Sequence, residues 1–221
     1  RTRAIVAVSP NNPTGNYLTG AELDALASLG LPLIVDEVFH AYPLDAPEDR
    51  PRAFTRSESL VFSLDGASKR SALPGLKLAW IAVAGPAEAT REACARLEMM
   101  LDVYLSPSSA SQHALPAILS MEQPRRAILE RTRVNLSALR AACEGTAASV
   151  PKVEGGWYAP VRMPATRSDE AWAIDLLDDG VRVHPGYFYD LPDDEAWLVL
   201  SLLTPAEEFA LGVAQLKRRA R

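Results

Sequence analysis

Cysteine and histidine are scarce, two and three in 221 residues. Cys94 and Cys143 have no companion Cys or His at a metal-ligand interval, which excludes a disulfide framework and a thiolate metal site. Both sit in apolar helical patterns and read as buried free thiols of a reducing compartment. An excess of basic charge is missing too: 23 Lys and Arg face 28 Asp and Glu, a net charge of −5. That balance offers no field for gripping nucleic acid or an anionic membrane. The longest apolar runs, residues 31–35 and 78–85, are strand-sized, against the roughly 20 residues of a membrane helix. No repeat, low-complexity tract, signal peptide or transit peptide is recognisable, so the expected setting is cytoplasmic, with neither nucleic acid nor membrane as partner.

What is present is ordinary globular material, 48% apolar and 23% charged, long enough for one or two domains. The chain runs from Arg1 almost directly into an apolar strand, residues 4–8, and reads as the continuation of something upstream. Thr19 and Glu22 have capping-box spacing, Leu23, Leu26 and Leu29 repeat at helical intervals, and Gly30 supplies a stop, after which residues 33–35 read as a buried strand. Strand, helix and strand make the unit of a parallel sheet. A right-handed crossover would bring Asn12 and Asp36 to one carboxyl rim. Residues 60–64 and 78–83 read as further strands around a polar loop holding Asp65, Gly66, Ser68, Lys69, Pro74 and Gly75. Helical patterns follow Pro86, to about residue 105, and Pro124, to about residue 143.

From about residue 150 the elements shorten. Residues 153–161 read as strand, 168–179 as helix stopped by Gly180, 181–184 and 197–203 as strands. Thr204, Pro205 and Glu207 open a last helix with Phe209, Val213 and Leu216 inward and residues 217–219 at its negative end. The fold class expected is α/β: a mostly parallel, helix-flanked sheet over residues 1–123, then a connecting helix and a smaller α+β domain over 124–221.

Individually, the polar candidates have plain readings. Asn12 in Asn-Asn-Pro-Thr-Gly is turn chemistry. Asp36 and Glu37 after an apolar run are either a solvated strand end or site carboxylates. Lys69 is either a surface lysine or one desolvated enough to act as a nucleophile. His113 reads as packing or exposure, and Trp80, Trp157, Trp172 and Trp197 as core.

Together they change meaning. Asn12-Pro13-Thr14-Gly15, Asp36-Glu37-Val38-Phe39, and Ser68-Lys69 followed by Pro74-Gly75-Leu76-Lys77 and Ala79-Trp80 resemble, in order and spacing, the class I and II aminotransferases of pyridoxal-phosphate fold type I. The resemblance continues through Gly155-Gly156-Trp157-Tyr158 and His184-Pro185-Gly186. It implies pyridoxal 5'-phosphate as cofactor, an amino donor and a 2-oxo acid acceptor as substrates, and a homodimer with residues 104–112 near its interface. It makes Lys69 the covalently linking amine and proton shuttle, Asp36 the partner of the ring nitrogen, Asn12 the donor to the ring's 3-oxygen, and Ser68 and Lys77 phosphate contacts. His184 and Tyr187 fall on a loop that in relatives approaches the substrate. No metal is implied.

Four positions depart from the pattern. Lys77 stands where an arginine is usual and lacks its two-pronged grip. Gly66 replaces a frequent serine. Phe39 replaces a tyrosine and cannot donate. Residues 197–203 contain no arginine for a substrate carboxylate, which keeps a lyase or decarboxylase on the same scaffold as an alternative, with a non-catalytic effector-binding module as another. Relatives also carry an upstream Gly-rich phosphate segment, a ring-stacking aromatic and an intersubunit arm. Without such a part this chain is expected to be unstable, self-associating or inactive.

Overall fold

The computed structural model describes residues 1–46 and 50–221. The chain divides into two compact units. Unit 1 comprises residues 1–11, 17–42 and 46–126, and unit 2 comprises residues 12–16, 43–45 and 127–221.

In unit 1, β1 (Ile5–Val8), α1 (Gly20–Ala27), β2 (Leu33–Asp36), β3 (Val61–Gly66), α2 (Ala67–Arg70), β4 (Ala79–Ala84), α3 (Ala87–Val103) and α4 (Ser109–Ser120) follow in order. The sheet order is β1-β2-β3-β4, with β1, β2 and β3 parallel and β4 antiparallel to β3. The helix α1 forms where its capping box predicts: the Thr19 hydroxyl accepts from Glu22 N at 3.1 Å and the Glu22 carboxylate accepts from Thr19 N at 2.8 Å. It buries Leu23 and Ala27 against Leu33, Val35 and Val61. Full burial of one such leucine contributes about 2 kcal/mol. Leu29 lies beyond the helix end and is exposed.

The segment between β3 and β4 is not the loop that its polar composition suggests. Asp65 and Gly66 are the last residues of β3, paired with Trp80 and Ala79, and Ser68 and Lys69 ride a single helical turn. Cys94 is exposed rather than buried, because α3 buries only Ala93; Cys143 is buried. Burial pushes the Cys143 thiol above its usual range. Residues 109–112 are the first turn of α4.

The helix α5 (Glu122–Cys143) leads into unit 2, followed by β5 (Tyr158–Met163), α6 (Asp169–Asp178), β6 (His184–Pro185), β7 (Ala196–Ser201) and α7 (Ala206–Arg219). The strands pair antiparallel in the order β5-β7-β6. Leu136 and Leu139 of α5, Leu176 of α6, Leu198 and Leu200 of β7 and Phe209, Val213 and Leu216 of α7 share one core. Asn135 ties α5 to the β7 exit through Leu202 O and Thr204 O, at 2.9 and 2.7 Å. Trp157 and Trp172 are core, whereas Trp80 and Trp197 are half-buried.

Two expected strand segments and the start of one expected helix come out differently in unit 2. Residues 153–157 are not strand: Val153 and Trp157 are buried, but only Gly155 makes a bridge, to Pro43. Residues 181–183 do not pair because the chain there closes α6. Gly180, at φ +80°, donates to Leu177 O, and Val181 donates to Leu176 O at 2.8 Å, the double closure that follows a left-handed residue. The N–H of Val181 is thereby spent on the helix. The helix α7 begins without a side-chain cap; the Thr204 hydroxyl turns back to Ser201 O instead.

Candidate active site

Parallel pairing brings the carboxyl ends of β1, β2 and β3 to one rim, where ligands of such sheets bind. Asp36 ends β2 there, half-buried, its Oδ1 accepting from Val38 N at 3.0 Å. The neighbouring Glu37 is 1% exposed and accepts from Ala53 N at 3.0 Å and from the Ser63 hydroxyl. Burial pushes its carboxyl above the usual range, against the pull of those bonds and of Arg52. The two acids that a strand-end reading treats alike therefore differ, Glu37 being enclosed and Asp36 standing at the rim.

The β3 strand passes through Gly66 into the turn carrying Ser68 and Lys69. A Cβ on Gly66 would lie 3.2 Å from Leu78 O, so a serine at this position would crowd β4. Ala67 N donates to Leu78 O at 2.9 Å, and Leu73 N returns to Ala67 O at 3.0 Å. The Tyr42 hydroxyl reaches Lys69 O at 2.8 Å and Arg70 O at 3.2 Å. The Lys69 ammonium stands 5.8 Å from the centroid of Phe39, a cation–π contact. At the foot of the turn, Asp65 is buried, accepts from Gly66 N at 2.7 Å, and pairs with Arg52 at 2.9 Å and Arg70 at 3.6 Å. Burial raises its carboxyl pKa, opposed first by Arg52.

Lys77 is exposed and left-handed, at φ +50°, closing the short 3-10 turn Pro74–Leu76. Because β4 runs antiparallel to β3, with Ala79 opposite Gly66, Lys77 enters at the end of the sheet where Lys69 leaves it. Unit 1 thus carries Asp36, Ser68, Lys69 and Lys77 at one end of its sheet.

Unit 2 carries the other sequence-predicted residues. Asn12, expected on one rim with Asp36, belongs to the segment 12–16 of that unit and is exposed. The motif's glycine has a packing reason: Gly15, at φ +75°, accepts from Gly155 N at 2.8 Å, and a Cβ on it would meet Val153 Cγ1 at 2.6 Å and Gly155 O at 2.7 Å. His184 is exposed, its Nδ1 2.9 Å from the Tyr189 hydroxyl. Tyr187 stands edge-on to Phe188, with ring centroids 4.9 Å apart, and its N–H donates to Asp169 Oδ2 at 2.9 Å.

Sequence reasoning missed Arg52 and the structural use of Tyr42. Asp65, an acid directly after a mostly apolar run, was the available signal, since a buried carboxylate needs a cation. His40 and Tyr42 lie close in sequence to Phe39, which has no hydroxyl. The ring Nε2 of His40 lies 3.2 Å from Arg50 O, and the Tyr42 hydroxyl is held by two carbonyls. Among the described residues no cluster of His, Cys, Asp and Glu could hold a metal ion, and no helix is long and apolar enough to cross a membrane.

A phosphorylated pyridine aldehyde asks for an amine, a carboxylate, and hydroxyl or cationic donors for its phosphate. Lys69, Asp36, Ser68 and Lys77 have that chemistry, and the enclosed acids Glu37 and Asp65 already face Arg52 at 3.9 and 2.9 Å. The donor set fits.

Comparison with known proteins points the same way. The chain is similar to the alanine aminotransferase of Mycobacterium tuberculosis, 28% identical over 192 residues, which cover 80% of this chain and 44% of that protein. It is 36% identical over 125 residues to the S-alkyl-thiohydroximate lyase of Arabidopsis thaliana, covering 53% of this chain and 27% of that one. Its fold superposes on the tyrosine aminotransferase of Leishmania infantum with a TM-score of 0.85 at 18% identity, over 99% of this chain and 56% of that chain. This chain therefore spans about half the length of these aminotransferases. The profile of the family "Aminotransferase class I and II", whose members are generally pyridoxal-phosphate-dependent, matches residues 1–210, and the chain belongs to that family.

Proposed function

We propose that the complete protein transfers an amino group between an amino acid and a 2-oxo acid, with pyridoxal 5'-phosphate held at the carboxyl rim of unit 1. One observation carries this reading: Asp36 closes β2, Lys69 lies one turn beyond the adjacent parallel β3, and Asp36 is in register with Leu64. A carboxylate and an amine thereby leave neighbouring strands at the same edge. When bound, the cofactor supplies an electron sink for the α-carbon of an amino substrate.

Lys69 would hold the cofactor through Nζ and would carry the proton at the substrate α-carbon. Asp36 keeps the ring nitrogen protonated, because a carboxylate favours the charged form. Phe39 shields one side of Nζ from water. Ser68 and Lys77 hold the phosphate, Lys77 as a point charge without the fork of an arginine. The family resemblance assigns Asn12 to the ring oxygen and His184 and Tyr187 to the substrate. Residues 1–123 form the C-terminal part of the cofactor-binding domain and 124–221 the connecting helix and small domain of a cytoplasmic homodimer.

The test is borohydride reduction of the complete protein with pyridoxal 5'-phosphate, followed by peptide mass spectrometry and an amino-transfer assay against a panel of 2-oxo acids. One stoichiometric adduct on Lys69, with transfer, is expected. An adduct on another lysine, or no transfer, would overturn the reading.

A second reading, a lyase on the same scaffold, has two observations in its favour. One relative is named a lyase, and the stretch of β7 where relatives place a carboxylate-binding arginine is the buried Leu198-Val199-Leu200. Release of ammonia, pyruvate or carbon dioxide in place of transfer would select it.

A further inference from the structure

We propose that Tyr42 is a positioning residue that sets where the Lys69 amine stands relative to Asp36, by gripping the main chain of the turn that carries it. The proposal rests on the reading of Lys69 as the linking amine.

The turn needs an outside hold. As a four-residue helix, α2 is far below the length at which helical hydrogen bonds sustain themselves, and its last carbonyls have no partner within the helix. Lys69 O receives Ala72 N at 3.2 Å. The Tyr42 hydroxyl donates to Lys69 O and to Arg70 O from outside the turn, at 2.8 and 3.2 Å. One phenolic proton is shared between two adjacent carbonyls, the nearer taking more of it. Tyr42 is 0% exposed, so its ring cannot swing away to water.

The same tyrosine belongs to the segment that presents Asp36. After β2 the chain makes two successive tight turns, His40 N to Glu37 O and Tyr42 N to Phe39 O, both at 2.9 Å. Asp36, Phe39 and Tyr42 therefore recur every third residue. The first offers the carboxylate, the second lies 5.8 Å from the Lys69 ammonium, and the third holds the carbonyl of Lys69. One short segment thus fixes both ends of the separation between carboxylate and amine. Burial pushes the phenol up to about 12, so it remains a donor throughout the range in which a lysine shuttle works.

The test uses Tyr42→Phe in the complete protein, which removes the hydroxyl and keeps the ring. In cofactor-free protein, amide exchange over residues 67–73 should quicken about 3- to 10-fold, the factor expected for one hydrogen bond, while β1 and β2 keep wild-type protection. Loading of Lys69, followed by borohydride trapping, should slow by a similar factor, and kcat should fall with little change in KM. Wild-type exchange and wild-type loading would overturn the proposal. The exchange measurement needs no cofactor, so it reads the grip of Tyr42 even if the wild-type adduct forms on another lysine and the functional reading fails. Replacing Tyr42 with 4-aminophenylalanine, which keeps a donor at the same place, should restore wild-type loading. This second variant also decides the matter if Tyr42→Phe does not fold, since slow loading with the donor retained counts against the proposal.

Discussion

The turn bearing Lys69 and the loop bearing Tyr187 are both short, both follow a strand and both carry candidate site residues, yet they are built in opposite ways. The Lys69 turn is held by a fully buried tyrosine, by Leu78 O just ahead of β4, and by a buried aspartate paired with two arginines. The Gly186–Tyr189 turn leaves Tyr187 49% and Phe188 60% exposed. Its polar tethers include Tyr187 N to Asp169 and two main-chain bonds of 3.4 Å. A group that must form a bond at one fixed place benefits from an over-determined backbone. A surface that meets side chains of varying shape can be a set of stiff aromatic rings on a loose loop, because segments with few buried contacts open at low free-energy cost.

The sharpest way to break this contrast is to remove the amine and keep the turn. Lys69→Ala in the complete protein should abolish the reduced adduct and lower turnover by about 10²- to 10⁴-fold, the range for losing a proton-transferring group; normal transamination would reject the assignment. Next is the ionic foot of the turn. Arg52→Ala leaves Asp65 and Glu37 enclosed without their nearest cation and should cost about 3 kcal/mol in urea unfolding. A loss below about 1 kcal/mol would mean that Arg52 acts as an exposed pair does.

A third test is pH. Burial, with Arg52 nearby, lowers His40 to about 4 from the usual 6.5. The folded state then binds fewer protons than the unfolded chain, so this contribution is present above pH 6.5 and is lost as pH falls towards 4. It amounts to at most about 3 kcal/mol. The thermal midpoint of His40→Gln, whose amide nitrogen can still donate to Arg50 O, should depend less on pH across that window, and an unchanged slope would assign the titration elsewhere. The smallest effect belongs to the loose loop. Asp169→Ala should cost under about 1 kcal/mol of stability and raise KM for the amino donor a few-fold with kcat unchanged. A fall in kcat instead would mean that the loop is as tightly specified as the Lys69 turn.

Much of unit 1 was legible because its signals are local. Thr19 and Glu22 cap α1 as their spacing predicts, and alternating burial of Leu33 and Val35 marks β2. The lysine motif stands out in the sequence, but its helical turn does not, since four residues without caps carry no helical period. Unit 2 was read less well at residues 153–157 and 181–183, where valines suggest strand. At Val181 the N–H closes α6, and at Val153 the side chain is buried in a segment shaped by Gly156 at φ +94°. Cys94 shows the same limit: an apolar neighbourhood in sequence says nothing about which face of α3 is covered.

By itself the sequence determined most of the strands and longer helices, the parallel sense of the first strands and the residue types at the rim, because capping, periodicity and motif spacing act over a few residues. Only the tertiary structure decided which of two adjacent acids is enclosed, that Arg52 sits between Glu37 and Asp65, and that Tyr42 holds the turn of Lys69. These are contacts between residues 13 to 28 positions apart. Their partners are chosen by the folding of β2 against β3, and no local pattern in the chain encodes them.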